Sequence, residues 1–154
     1  MLIAAQDRQR AEAAVQAEAA FRTAAARYGS VKAAGTPFAG RRVEKPWGYE
    51  LIWAEGTRYV GKILHIEPGQ QLSYQYHRQK EETIFLLSGV LELQVAFNEG
   101  PRQTLRLQPG QSFHIPPGLR HRMTAIETCE VLEDSTPELE DVVRLEDRYG
   151  RVER

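Results

Sequence analysis

The sequence predicts an all-β domain, a small barrel or sandwich, behind an N-terminal α-helical extension. From Val43 onward, short runs of alternating apolar and polar residues recur at about eight-to-twelve-residue spacing, the pattern of small β folds. Compact turn signals separate them: Glu67-Pro68-Gly69, Ser88-Gly89, Asn98-Glu99-Gly100-Pro101, Gln108-Pro109-Gly110 and Pro116-Pro117-Gly118. A third observation sets the extension apart. Residues 4–28 are rich in Ala, Gln, Glu and Arg and hold neither Pro nor Gly, a composition that favours helix.

The helix comes first. Its larger apolar residues are sparse, Val15, Phe21 and Tyr28, so it carries a thin sticky stripe on a polar body. Such a helix is marginal in isolation; it either stays solvated or packs on the barrel or a second subunit. Gly29-Ser30 ends it, and Gly35, Pro37 and Gly40 mark residues 29–42 as linker. The chain therefore divides into residues 1–42, extension and linker, and residues 43–154, the β domain with its tail. Expected strands are Tyr49–Ala54, Tyr59–Ile66, Gln71–His77, Glu82–Ser88, Val90–Phe97, Gln103–Leu107, Ser112–Ile115, Arg120–Ala125 and Cys129–Glu133. A mobile or helical tail is expected from Ser135 to Arg154.

Composition bounds the function. A chain of 154 residues predicts one domain with an appendage, and 42% hydrophobic content suffices for a core. A formal net charge of -1 argues against nucleic acid or an anionic membrane as partner. One cysteine, Cys129, excludes an intramolecular disulfide framework and suits a reducing, cytoplasmic setting. The apolar start of MLIAAQDRQR is too short for a signal-peptide core or a membrane span.

Two segments fit together as halves of one metal site. The first, Gly69 to Gly89, places Gln75, His77 and Glu82 between two glycines. The second, Gly110 to His121, ends in His121 after the Pro116-Pro117-Gly118 corner. Strand side chains alternate, so Gln75 and His77 share a face, and Glu82 opens the next strand after a four-residue turn. A carboxamide oxygen, two imidazoles and a carboxylate form a mixed N/O set suited to one divalent ion, zinc first, with Mn, Fe, Co or Ni as alternatives. His65 and His114 lack such company and read as ordinary strand residues.

That joint spacing resembles the cupin superfamily. Gly69, His77, Glu82 and Gly89 fit its first motif, with Gln75 in place of the first His; Gly110, Pro116, Gly118 and His121 fit the second, with Ala125 in place of the final Asn. The resemblance covers about residues 44–134 and implies a double-stranded β-helix, the cupin or jelly-roll barrel. The Gln-His-Glu-His set is similar to that of phosphomannose isomerases. Lys45-Pro46-Trp47-Gly48, Leu72-Ser73-Tyr74-Gln75-Tyr76-His77, Glu140-Asp141-Val142-Val143-Arg144 and Asp147-Arg148-Tyr149-Gly150-Arg151 resemble segments of the cupin domain in bifunctional mannose-6-phosphate isomerase/mannose-1-phosphate guanylyltransferases.

The resemblance implies a metal-dependent aldose–ketose isomerase acting on mannose-6-phosphate and fructose-6-phosphate. Moving a hydrogen between adjacent carbons creates negative charge that a divalent metal stabilises while a base carries the proton. Lys80 falls where the family carries Lys or Arg near the metal, to hold an oxyanion or transfer protons. Arg144 matches an arginine implied to close over the substrate; otherwise it forms a salt bridge with Asp141 or Asp147. The inward acid is Glu133 or Glu130: they stand three apart on one strand and face opposite sides, and the family pattern favours Glu133. Arg78, Arg120 and Arg122 read as surface charges, Trp47 and Phe113 as core or rim.

The chain departs from the bifunctional pattern at Lys80, usually Arg, and at Ile84, usually Trp. It has no Gly-rich nucleotide loop, so nucleotidyl transfer is not expected. The alternatives are a non-catalytic cupin that binds metal and sugar, and a cupin isomerase or epimerase of another sugar. An oxygen-using cupin is disfavoured, because such cupins usually carry three His and one Glu. Relatives commonly cover their open sheet edges with a second subunit, which implies a homodimer. The expected ligand is a small sugar or sugar phosphate.

Overall fold

Eleven strands form among the described residues, which are Gln16 and residues 39–152 of a computed structural model. They are β1 (Arg41–Lys45), β2 (Gly48–Glu55), β3 (Val60–Ile66), β4 (Tyr74–Tyr76), β5 (Glu82–Ser88), β6 (Leu91–Phe97), β7 (Gln103–Leu107), β8 (Ser112–Ile115), β9 (Leu119–Ala125), β10 (Cys129–Ser135) and β11 (Val143–Glu146). They build two antiparallel sheets, one ordered β1-β2-β3-β10-β5-β8 and the other β11-β4-β9-β6-β7. From β3 on, the chain crosses repeatedly between the sheets, so motifs distant in sequence face one another. Apart from Gln16, which is helical, the helix expected over residues 4–28 lies outside the described residues.

Period-two alternation decides which side chains turn inward. In β9, Leu119, His121, Met123 and Ala125 are buried while Arg120, Arg122 and Thr124 are not. In β10 the buried set is Cys129, Val131, Glu133 and Ser135; in β5 it begins Glu82, Ile84, Leu86. Each strand thus carries one or two polar side chains on the face its neighbours commit to the core. Fully buried Leu64, Ile66, Ile84, Leu86, Leu91, Leu93 and Ile115 hold the sheets together. Each such side chain contributes about 1.5–3 kcal/mol from area removed from water. That apolar half is the platform on which the polar residues of the same strands are held.

Two strands lie where none was expected. The linker reading of residues 29–42 overruns: Arg41 and Arg42 already belong to β1, which pairs with β2 from Arg41↔Ile52 to Lys45↔Gly48. The connection is the Pro46-Trp47 turn, with Trp47 buried in the core. Gly48 has φ of 141°, and a Cβ there would lie 2.0 Å from the His65 carbonyl oxygen, so only glycine closes this turn. The mobile or helical tail is likewise corrected. Residues 143–146 form β11, pairing Val143 with Tyr76 and Arg144 with Gln75. Further contacts seat the tail. The Thr136 N–H donates to the Glu81 carbonyl at 3.0 Å, and the Tyr149 hydroxyl donates to Gln70 Oε1 at 2.7 Å. β11 is four residues long with an exposed end, too short and polar for local patterning to reveal.

Candidate metal centre

His77, Glu82 and His121 converge between the two sheets, their ligand atoms all within 4.8 Å of one another. His77 follows β4, Glu82 opens β5 and His121 lies inward on β9. The Gly118 N–H, at the corner before β9, donates to the His77 carbonyl oxygen at 2.8 Å and so ties the two motifs together. Glu82 Oε1 lies 3.5 Å from His77 Nε2 and 3.3 Å from His121 Nε2. The imidazole centroids are 5.3 Å apart.

The tautomers follow from the other ring nitrogens. His77 Nδ1 meets the Asp141 carbonyl oxygen, and His121 Nδ1 meets the Leu119 carbonyl oxygen at 3.0 Å. A carbonyl only accepts, so each Nδ1 carries a proton, and the neutral form of each ring presents its lone pair at Nε2. Both Nε2 atoms are buried without a hydrogen-bond partner. Leaving such an atom unmet costs about 1–3 kcal/mol, so two in one place ask for a shared partner. A divalent cation beside a carboxylate satisfies both, and the residues present fit one. Burial pushes the Glu82 carboxyl upward, but the Lys80 ammonium on Oε2 opposes this and favours the ionised form. Gln75 stands opposite His121 in register. Its Oε1 accepts from the Ser73 hydroxyl at 2.5 Å and, like any amide oxygen, has a second lone pair.

Beside this cluster opens a cavity of about 270 Å³, lined by Gln75, His77, Lys80, Glu82, Glu133 and Arg144 among others. It is just under the ~300 Å³ lower end of ordinary ligand pockets, a size suited to one small polar molecule. Lys80 Nζ bridges Glu82 Oε2 and Glu133 Oε1, the latter at 2.6 Å. Burial would lower its pKa, but Glu133 and Glu82 reverse the shift, so Lys80 stands as a fixed ammonium. Of the two candidate acids, Glu133 is buried and lines the cavity, whereas Glu130 faces outward and meets His65 Nδ1 at 2.5 Å.

Arg144 has neither of the salt bridges considered from the sequence. The Asp141 carboxylate accepts from the backbone N–H groups of Arg78, Gln79 and Lys80. Asp147 pairs with Arg151, Oδ1 to Nη2 at 2.6 Å. Among the described residues Arg144 has no carboxylate in reach, and its buried Nε lacks a hydrogen-bond partner. The other singled-out arginines stay outside the site: Arg78 is exposed, Arg120 reaches Glu99 at 3.7 Å and Arg122 reaches Glu146 at 2.7 Å.

Two site residues escaped sequence reasoning. Lys62 is buried with Nζ 3.4 Å from Glu133 Oε1 and 3.8 Å from Glu50 Oε2. The signal was available: Val60, Lys62, Leu64 and Ile66 alternate on one face of β3, and a lysine in that set must find an inward carboxylate. Asp141 carried no such signal, because its partners are backbone groups far away in sequence.

Known proteins bear on this geometry. Residues 62–133 match the family described as the cupin domain. The chain belongs to the cupin superfamily. It is 36% identical over 118 residues to the xanthan biosynthesis protein XanB of Xanthomonas campestris pv. campestris, covering 73% of this chain and 24% of that protein. It is 35% identical over 118 residues to the mannose-1-phosphate guanylyltransferase ManC of Salmonella typhimurium, covering 73% of this chain and 23% of that protein. This cupin therefore matches about a quarter of the length of each relative. Bacillus subtilis oxalate decarboxylase, whose Mn(II) centres have been studied, superposes with a TM-score of 0.60 at 20% identity over 68% of this chain and 30% of that one. That likeness establishes the shared cupin fold. Among the described residues no helix is long and apolar enough to cross a membrane.

Proposed function

We propose that this cupin binds one divalent metal ion, zinc first, through Gln75, His77, Glu82 and His121. With it the protein interconverts an aldose phosphate and a ketose phosphate, mannose-6-phosphate and fructose-6-phosphate being the first pair to test. The observation that carries the reading is the convergence of a metal-competent His–Glu–His set with Lys80, Glu133 and Arg144 around one small cavity. The likeness to a mannose-1-phosphate guanylyltransferase supports a mannose phosphate as the ligand class.

When bound, the metal would polarise the oxygens on the two reacting carbons. Arg144, with no carboxylate of its own among the described residues, supplies fixed charge for the phosphate or for the charge that develops on those oxygens. Glu133 takes the proton as the C2–H bond breaks and returns it to C1, while the hydroxyl proton passes from O2 to O1. Lys80 and Lys62 hold the Glu133 carboxylate in place. The side chains of Trp47, Leu72 and Met123 close the apolar side of the cavity and limit water there.

The deciding experiment is an NMR assay in D2O of the metal-reconstituted protein with both sugar phosphates. Interconversion with deuterium incorporation, lost on chelation and restored by metal, is the expected result. Metal bound without interconversion or exchange would rule this substrate pair out. A second reading, a non-catalytic metal- and sugar-binding cupin, draws on one observation: both inward carboxylates, Glu82 and Glu133, are already engaged by Lys80. An isomerase or epimerase of another sugar would show exchange only with that sugar.

A further inference from the structure

We propose that Asp141 is a positioning residue for the metal ligands, acting through His77 and the turn that follows it. This rests on the metal site proposed above but not on the reaction assigned to it. Four consecutive residues are held by this one. The Asp141 carbonyl accepts from His77 Nδ1 and so aims Nε2 at Glu82. Its Oδ1 accepts the Arg78 N–H at 3.1 Å, and its Oδ2 accepts those of Gln79 and Lys80 at 2.6 and 2.8 Å.

The geometry has a physical reason. The chain must reverse within the four residues between His77 and Glu82, and the reversal leaves three N–H groups without ladder partners. Backbone donors must be met, and one carboxylate meets all three, fixing the turn that carries Lys80 between two ligands. Three residues beyond Asp141, Arg144 pairs in register with Gln75. The segment 141–144 therefore touches the first motif at Gln75, at His77 and at the turn before Glu82. Groups that orient a ligating histidine through its other nitrogen typically carry roughly 10–100-fold in metal affinity. Because such coupling is reciprocal, metal binding also tightens this segment onto the turn.

The test uses the full chain and Zn2+ affinity by chelator competition, with amide exchange at residues 78–80 as a second readout. Asp141→Ala keeps the backbone carbonyl that meets His77 but removes the carboxylate that ties it to the turn. It should therefore weaken Zn2+ binding by roughly tenfold, the lower end of such effects, and speed exchange at those amides. Asp141→Asn, which keeps one accepting oxygen, should recover part of both. Asp147→Ala is the control. It frees Arg151 and Tyr149 and loosens the tail without touching the turn, so it should lower Tm while Zn2+ affinity stays within about threefold. Asp141→Ala within threefold of wild type, or Asp147→Ala matching its loss, would overturn the assignment. A wild-type protein that takes up no Zn2+ would overturn it together with the metal site. Zn2+ uptake without sugar turnover would sink only the isomerase reading.

Discussion

Four histidines divide into two pairs with opposite fates. His77 and His121 are each 1% exposed, each with Nδ1 committed to a backbone carbonyl and Nε2 left without a partner. His65 and His114 lie on outer faces, their side chains 19% and 54% exposed, and meet carboxylates there: His65 reaches Glu130 and Glu67, His114 reaches Glu81. All four come from similar β segments. What separates a candidate ligand from an ordinary strand histidine is the neighbour of its second nitrogen. A carbonyl on Nδ1 keeps a proton there and turns Nε2 inward toward Glu82, whereas the ring nitrogens of His65 and His114 are spent on carboxylates of the outer face.

Removing the inner pair gives the largest expected effect. His77→Ala or His121→Ala should abolish stoichiometric metal, while His65→Ala and His114→Ala should keep it, as read by metal analysis after dialysis. Metal bound at 1,000 times its Kd stabilises by about 4 kcal/mol. Chelation should therefore lower Tm in wild type and in the outer variants and leave the inner ones unmoved. Full occupancy in both inner variants would erase the distinction.

The same inside–outside contrast holds for the two glutamates of β10. Glu133→Gln should lower turnover by roughly 10²–10⁴-fold, the usual contribution of a positioned acid–base group, with metal retained. Glu130→Gln should leave turnover unchanged. Equal losses would mean that neither is the proton carrier.

Lys80 sharpens the contrast between a buried cation and a surface one. Lys80→Met removes the positive partner that Glu82 and Glu133 share, and both carboxylates are buried. Breaking a buried pair in this way costs about 3–5 kcal/mol, with Lys62 still near Glu133 to keep the loss toward the lower end. Arg120→Met, whose partner Glu99 is largely exposed, should move stability by less than about 1 kcal/mol. Urea unfolding of the two variants reads the difference directly.

How much of this was legible in the sequence depends on how far each residue's partners lie. The convergence of His77, Glu82 and His121, with Gln75 lining the cavity beside them, was legible because glycines, a Pro-x-Gly corner and strand alternation fix their spacing locally. Glu133 over Glu130 needed only period two plus the family pattern. β1 and β11 were missed because both draw their order from pairing rather than patterning. Arg41-Arg42-Val43-Glu44-Lys45 is charged at every position but Val43, and β11 depends on β4, far away in sequence. Asp141 stood in a recognised segment and as a salt-bridge candidate, but its hold on the turn was not legible, because an aspartate that meets backbone N–H groups leaves no trace in the identity of its partners. Lys62 was legible in principle, since an inward lysine in an apolar alternation announces a buried carboxylate, but the carboxylate it meets, Glu133, lies on β10.

The smallest expected effect belongs to the outer pair and gives the comparison a pH dependence. The hydrogen bond that His65 donates to Glu130 outweighs desolvation and raises the His65 pKa above its ordinary 6.5, with Glu67 adding to it. A group whose folded pKa lies above its unfolded one stabilises the fold fully below the unfolded value. That contribution is then lost as pH rises from about 6.5 through the folded value. The pair sits near the surface, so the gain is below about 1 kcal/mol. The gap in unfolding free energy between wild type and His65→Gln should therefore be widest near pH 5.5 and narrow above the raised pKa to its charge-independent part. The ring also stacks on Tyr49, centroids 4.6 Å apart, a contact that does not depend on charge and that His65→Gln removes at every pH. A pH-independent gap between the two proteins would assign the role of His65 to stacking and leave its carboxylate partners without a measurable share.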